Sequence, residues 1–255
     1  MKNKGLLIFI LTLTAWLSAC TDTNSGDLFT SDICASINVT SSDISTMRVE
    51  THLTSDCLPF HPVELTCGDN ITVTYAGKTQ QLKASPNIVN DVTYYTNLSD
   101  YLDSTDLNVS LIRSGDKVDA PNSTVTLPKS FTIVNNFYDT YSSSDTLTID
   151  WVDNDNTGSS TADTTVTISC DKTSIIDTKT GETQTDTLSN YVNQTDVPPI
   201  QAQLSSLNDF PNDYNECTGS ILISRRTTGT ADSNFRNGST ITATYNYEHT
   251  FTFNR

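Results

Sequence analysis

The decisive stretch for the fold of this chain is Ile241-Thr242-Ala243-Thr244-Tyr245-Asn246-Tyr247-Glu248-His249-Thr250-Phe251-Thr252-Phe253. Its apolar and aromatic side chains alternate with polar ones, most of them Thr. Successive side chains of a strand point to opposite faces, so the alternation predicts one long strand with an aromatic face and a polar face. A slip of one residue would expose the aromatic rings, so we expect a firm register. His249 falls on the aromatic face, where we expect it to be packed rather than catalytic.

Shorter runs of the same alternating kind occur along the chain, at 35–39, 47–53, 71–75, 146–151 and 166–170. Ala76-Gly77 is predicted to be a hairpin turn, and Trp151 is predicted to lie in the core. No long amphipathic helical pattern occurs, whereas short strands separated by turn residues are typical of a β-sandwich. We therefore predict an all-β chain. Pro128 marks the expected boundary between two tandem immunoglobulin-like sandwiches, at 33–127 and 128–255.

The N-terminus has the pattern of a secretory signal. Lys2 and Lys4 precede an apolar run that is too short to span a bilayer, and Leu17-Ser18-Ala19-Cys20 supplies a small-residue cleavage site. This site resembles the lipobox of bacterial lipoproteins, which implies a signal peptide at 1–19 and lipidation of Cys20. The alternative is an ordinary signal peptide whose cleavage site ends in Cys. We expect residues 20–32 to form a flexible tether.

In that lipoprotein family the residue after the cysteine influences sorting, and Thr21 favours the outer membrane. The resemblance thus implies a protein of the cell envelope that is attached to a membrane by lipid.

The charge of the chain excludes some partners. The formal net charge is −16, and removal of a signal containing two lysines and no acid would make it −18. A nucleic-acid partner is excluded because counterion release requires a basic surface, and anionic lipid head groups are disfavoured for the same reason. Metal cations and basic partners remain electrostatically possible, although solubility alone would explain the acidity.

The run Thr146-Leu147-Thr148-Ile149-Asp150-Trp151 resembles the second strand of a fibronectin type III or related immunoglobulin-like domain, with its buried Trp. The segment 127–255 is similar to uncharacterised envelope lipoproteins of Gram-negative bacteria, a family without an assigned activity. The topology that this resemblance implies places Cys170 beside Cys217, within reach of a disulfide.

Three cysteines remain in the first half, Cys34, Cys57 and Cys67, so one thiol is left over. An exported chain meets oxidising conditions, in which disulfides form. Cys57 and Cys67 bracket a Pro-containing loop and are the preferred pair, which leaves Cys34 unassigned. Cys34–Cys57 and Cys34–Cys67 are the competing arrangements.

An acidic loop at 150–158 is the best candidate for a metal site. Asp153, Asp155 and Thr157 have the alternate-residue spacing of calcium loops, and Gly158 follows them. However, Asp and Asn are also ordinary turn formers, and an EF-hand would need flanking helices. We therefore expect no cofactor, with Ca²⁺ as the alternative.

Arg225, Arg226 and Arg236 concentrate positive charge near the connection between the last two strands, where binding residues often lie. The competing interpretation is local ion pairing with the acidic surface. No GxSxG, HExxH or P-loop motif occurs, so we do not expect an enzyme.

The favoured function is a non-catalytic binding or structural interaction module with a protein or glycan partner. The alternatives are a calcium-dependent adhesin or glycan-binding protein, and an accessory subunit or divergent hydrolase.

Overall fold

A computed structural model describes residues 23–58, 61–86, 92–154, 161–173, 185–211, 214 and 216–255. Cys20 and the expected signal peptide lie outside these residues. The strands in the described residues are β1 (Thr23–Asn24), β2 (Cys34–Ser41), β3 (Thr46–Thr54), β4 (Val63–Glu64), β5 (Asn70–Tyr75), β6 (Lys78–Gln81), β7 (Lys83–Pro86), β8 (Val92–Ser99), β9 (Asp106–Ile112), β10 (Ala120–Thr126), β11 (Phe131–Ile133), β12 (Thr140–Ser142), β13 (Thr146–Ile149), β14 (Trp151–Asp153), β15 (Ala162–Thr173), β16 (Thr185–Asp196), β17 (Ile200–Gln203), β18 (Glu216–Thr228) and β19 (Thr240–Asn254). Three short 3₁₀ helices accompany them, η1 (Ser25–Asp27), η2 (Thr30–Asp32) and η3 (Leu204–Leu207).

The chain is all-β and sandwich-like, which confirms the predicted fold class. The largest sheet has the order β16-β15-β18-β19-β2-β3-β8-β7, with β12 also paired to β19. A four-stranded sheet has the order β10-β9-β5-β6, and β1–β4, β11–β14 and β13–β17 form small two-stranded sheets. Alternate side chains of most of these strands enter one buried cluster, because such a strand presents every second residue to the interior, whereas β6 is exposed throughout.

The long strand β19 joins the two halves of the chain, 23–127 and 128–255. It pairs antiparallel with β18 along most of its length. Its N-terminal part also pairs in parallel with β2, and its C-terminal part pairs in parallel with β12. The boundary expected at Pro128 therefore does not separate the sheets. This strand of 15 residues lies inside the largest sheet, between β18 of the second half and β2 of the first half.

Two predictions from short sequence patterns are confirmed, the burial of Trp151 and the hairpin turn at Ala76-Gly77. Trp151 is fully buried, as predicted. The hairpin between β5 and β6 turns at Ala76 and Gly77, both of which have positive φ. Glycine suits this conformation because it lacks the Cβ that makes left-handed backbone unfavourable.

Gly229 allows the end of β18 to approach the four-stranded sheet closely. Thr230 and Thr124 exchange backbone hydrogen bonds of 2.8 and 2.9 Å. A Cβ atom at Gly229 would lie 2.0 Å from the carbonyl oxygen of Thr124, so a larger residue would force these two backbones apart. The connection between β18 and β19 is thereby tied to β10.

The prediction of a flexible tether is wrong for residues 23–32, which pack against the first half. The Arg113 side chain donates from Nη2 to the carbonyl oxygens of Ser25 and Leu28, at 2.6 and 3.1 Å. Its Nη1 also donates to the Thr30 hydroxyl at 3.0 Å. Two of these acceptors are backbone carbonyls, so the amino-acid composition of the segment gives no sign that a buried arginine holds it.

The disulfides correct one prediction and agree with another. Cys170 and Cys217 are bonded, as the fibronectin-like resemblance implied, and they face each other directly in the β15–β18 register. The preferred Cys57–Cys67 pairing is wrong, because Cys57 is bonded to Cys34 and Cys67 is an exposed free thiol. Cys34 pairs with Thr54 in the β2–β3 register, which brings the chain just beyond β3 back to Cys34.

Candidate functional site

A chain of aromatic rings fills the region where the two halves meet, which we call the seam. It runs from Trp151 through Phe131 and Tyr245 to Tyr101, with ring centroids 6.1, 5.2 and 5.2 Å apart. The Tyr101 hydroxyl donates to the carbonyl oxygen of Pro128 at 2.7 Å. Burial raises the pKa of Tyr101 and of Tyr245, so both hydroxyls stay neutral at ordinary pH. The seam is thus a structural core.

Asp153, from the predicted calcium loop, and Arg225, from the predicted binding group, form an ion pair in the seam. Arg225 Nη2 lies 2.6 Å from Asp153 Oδ1, and the two side chains are only 7% and 2% exposed. Arg225 also donates to the carbonyl oxygens of Thr161 and Lys129, and its guanidinium lies 5.0 Å from the Phe131 ring centroid. This is the geometry of a structural arginine, so Arg225 is not an exposed binding group.

This ion pair argues against calcium binding at Asp153. Asp153 faces Arg225 in the interior, and a calcium ion at Asp153 would have to displace the guanidinium. The other two proposed ligands, Asp155 and Thr157, lie outside the described residues. Within the ranges that the structure describes, no three His, Cys, Asp or Glu side chains are grouped so that they could hold a metal ion.

The remaining two arginines of the predicted binding group are exposed, and neither shares the buried environment of Arg225. Arg226 follows Arg225 in β18 and therefore points to the opposite face of the strand. Arg236 lies at the disulfide-bonded end of the first half, where its Nη1 donates to the carbonyl oxygen of Ser55 at 2.9 Å. The three residues therefore do not form one basic patch.

An open cleft beside the seam is the candidate binding site, and we call it the junction cleft. Its volume is about 640 Å³, which lies in the range of small-ligand sites. Ile44, in the turn between β2 and β3, lines one wall and is 58% exposed. The segment after β11 contributes Phe137, and β19 contributes Tyr247 and His249. Both halves of the chain thus build this cleft.

The aromatic groups of the junction cleft support one another. The Phe137 ring stacks on His249, with centroids 5.2 Å apart, and approaches Tyr247 at 5.9 Å. His249 Nε2 lies 3.2 Å from the carbonyl oxygen of Tyr138. Partial burial raises the pKa of Tyr247. The result is a partly exposed aromatic surface whose geometry is held by neighbouring groups.

The polar rim of the cleft includes Asp43 and Asn136. Hydrogen bonds from the Ser45 hydroxyl and from the backbone N–H groups of Ser45 and Thr46 lower the pKa of Asp43, so its carboxylate is charged at neutral pH. These bonds also hold the turn that carries Ile44. Asn136 is exposed beside Phe137. Such a cleft can bind a ligand with apolar faces and polar edges.

Sequence reasoning identified only part of this cleft. The alternation in β19 predicted the face on which Tyr247 and His249 lie. Phe137 and Ile44 gave no comparable signal, because both lie in irregular connections without periodicity. An apolar residue within a polar connection is a hint of a binding surface. However, no sequence pattern relates Ile44 to Phe137, which are far apart in the chain.

In the portion of the chain described by the structure, no helix is long and apolar enough to cross a membrane.

Comparisons with known proteins give no family assignment. No protein-family model and no curated protein matches the chain. Among solved structures, the chain is similar to the crystal structure of the chicken CNTN1 FN1-FN3 domains, with 9% sequence identity. The match covers 92% of this chain and 68% of that chain, with a TM-score of 0.21. A score this low supports no functional argument, so the fold class rests on the strand pairing described above.

Proposed function

We propose that this chain is a lipid-anchored protein of the bacterial envelope, at the outer membrane, and that it acts as a non-catalytic binding or structural interaction module. The N-terminal pattern that ends at Cys20 supports the anchoring. In this proposal Cys20 carries the lipid after removal of residues 1–19, and the β-sheet body presents its binding surface in the envelope.

The junction cleft is the observation that carries the binding role. It combines the exposed Ile44 with the Phe137, Tyr247 and His249 rings in one open depression. Aromatic residues with a fixed geometry bury much apolar surface at little entropic cost, which is why they dominate binding sites. A protein segment that presents an apolar side chain between polar groups fits this arrangement.

A glycan is the second candidate partner, and the same rings favour it. The apolar C–H faces of sugars can pack on aromatic rings, while amide and carboxylate groups at a rim can accept and donate hydrogen bonds. Asn136 and Asp43 supply such groups at the rim. This version needs no calcium, which suits a chain whose Asp153 is paired with Arg225.

Site-specific photo-crosslinking in living cells tests the proposal. A photo-reactive residue in place of Asn136 should give a discrete cross-linked product, and protease or glycosidase digestion of that product identifies its class. The matched control is the same residue in place of Lys78, which is exposed on the edge strand β6 and does not line the cleft. Equal cross-linking at both positions, or none at Asn136, would contradict binding at the cleft.

The lipid anchor is tested separately. Metabolic labelling with palmitate should label the protein, and globomycin should block the cleavage of residues 1–19. Replacement of Cys20 by Ser should abolish the label. A labelled Cys20→Ser protein, or an unlabelled protein with the native Cys20, would contradict the anchoring whatever the cross-linking shows.

A further inference from the structure

The residues just after the expected lipid site are held rigidly to the first half. Thr23 pairs with Val63 in the β1–β4 sheet, and its N–H donates to the carbonyl oxygen of Pro62. Ser25 is fully buried, and its hydroxyl donates to Asp69 Oδ2 at 2.8 Å. Thr23 and Ser25 are therefore fixed against the first half.

Two large apolar side chains are exposed where this segment meets the β9–β10 connection. Phe29 is 73% exposed and Val118 is 62% exposed. The Thr30 hydroxyl donates to the carbonyl oxygen of Val118, which places the residue after Phe29 directly against Val118. We call Phe29 and Val118 the N-terminal tip.

The tip is attached to a rigid base. The fully buried Arg113 side chain holds Ser25, Leu28 and Thr30 on either side of Phe29. Lys117, next to Val118, donates to the carbonyl oxygens of Ser25 and Gly26. Both members of the tip are thus flanked by residues that hydrogen bonds fix in place, and yet both side chains project into solvent.

The chain length between lipid and tip is short. Cys20 precedes Thr23 by three residues, which span at most about 10 Å, and Phe29 follows Thr23 by six residues, which span at most about 20 Å. A lipid on Cys20 would therefore bring the bilayer surface within reach of the tip.

We propose that the N-terminal tip docks into the surface of the lipid bilayer, so that the body lies directly against the membrane. This proposal rests on the proposed lipid anchoring and adds the orientation of the protein. Exposed Asp27 and Asp116 flank the tip, and Lys117 is engaged with the segment. The docking is therefore apolar, and anionic head groups do not drive it.

Tryptophan fluorescence of the full lipidated protein in phosphatidylcholine vesicles tests this orientation. Trp16 leaves with the signal, and the fully buried Trp151 gives a constant background emission, which is measured on the unsubstituted protein and subtracted. The reporters are Phe29→Trp and Val118→Trp. The matched control is Tyr191→Trp, at a position on β16 that is 65% exposed.

With brominated acyl chains in the vesicles, the two tip reporters should be quenched roughly twofold and should emit at shorter wavelength, whereas the control should be unchanged. Two reporters guard against a folding defect in either variant. Intact mass, measured on the same preparation, reports acylation. An acylated protein whose tip reporters are quenched no more than the control overturns the docking. A protein without acyl chains instead overturns the proposed anchoring.

Discussion

The two halves of the chain each bury an arginine–aspartate pair, and the two pairs have different tasks. Arg113 and Asp69 are 0% and 1% exposed, and most partners of Arg113 belong to the N-terminal segment. Arg225 and Asp153 lie in the seam, where the guanidinium contacts backbone carbonyls and the Phe131 ring. One pair attaches a peripheral segment, and the other joins strands of the core.

The Asp69 carboxylate has further hydrogen-bond partners besides Arg113. Asp69 accepts hydrogen bonds from the Ser25 hydroxyl and from the N–H and hydroxyl of Ser114. Burial alone would raise the pKa of Asp69, but these hydrogen bonds and the Arg113 charge outweigh it, and the pKa is lowered. The comparison shows that the structural role of a buried ion pair depends on the other groups that its two side chains contact.

The largest effect is expected from Arg225→Met, which removes the seam guanidinium while keeping an apolar stem. Asp153 is then left buried without its charged partner, so the free energy of unfolding should fall by about 3–5 kcal/mol. Chemical denaturation measures this loss. The control is Arg226→Met, whose exposed side chain should change stability by less than about 0.5 kcal/mol. Equal losses in both variants would contradict the structural role of Arg225.

A smaller and more local effect is expected from Arg113→Met. The loss should be about 3 kcal/mol, because Asp69 loses its partner but keeps its hydrogen bonds from Ser25 and Ser114. Relative to the native protein, the rate of amide hydrogen exchange should increase more in residues 23–32 than in β19. The control is Lys78→Met, at an exposed position of the edge strand β6, which should leave exchange in residues 23–32 unchanged. Uniform acceleration along the whole chain would show that Arg113 acts on the core instead.

The smallest effect is a pH dependence that belongs to Asp69. A carboxyl whose pKa is lowered by folding contributes stability above its unfolded pKa, and this stability is lost as the pH falls through the folded value. The stability difference between the native protein and Asp69→Asn should therefore be full at pH 7 and should shrink below about pH 4. Denaturation midpoints between pH 7 and pH 2.5 measure it.

Thr30→Val provides the control for this titration. It removes a hydroxyl that accepts from Arg113, without changing an ionisable group. Its cost should be about 2 kcal/mol, because the hydroxyl accepts from a charged group, and should be nearly the same at every pH in that range. If Asp69→Asn behaved in the same pH-independent way, the Asp69 carboxylate would not be the source of the dependence.

Local patterns were sufficient for much of the fold. Alternation placed β2, β3, β5, β15 and β19, because a half-buried strand repeats its environment every second residue. The Ala76-Gly77 turn was readable because its backbone conformation selects residue types. The junction cleft was only half readable, since Tyr247 and His249 lie on a periodic strand while Phe137 and Ile44 lie in irregular connections.

Other features depend on which strands become neighbours. The Cys57–Cys67 prediction followed proximity in sequence, whereas the β2–β3 register places Cys57 beside Cys34. The tether prediction followed polarity, whereas the segment is held by Arg113, which lies 83 positions beyond Thr30 in the sequence.

The amino-acid sequence by itself determined that this protein is built from strands, which side chains of each strand face inward, and where tight turns occur, because these properties depend on neighbours within a few residues. Only the tertiary structure decided that β19 serves both halves, that Asp153 and Arg225 neutralise each other in the seam, and that the N-terminal segment is fixed by Arg113. Such contacts depend on the order and register of distant strands, and no short-range pattern encodes them.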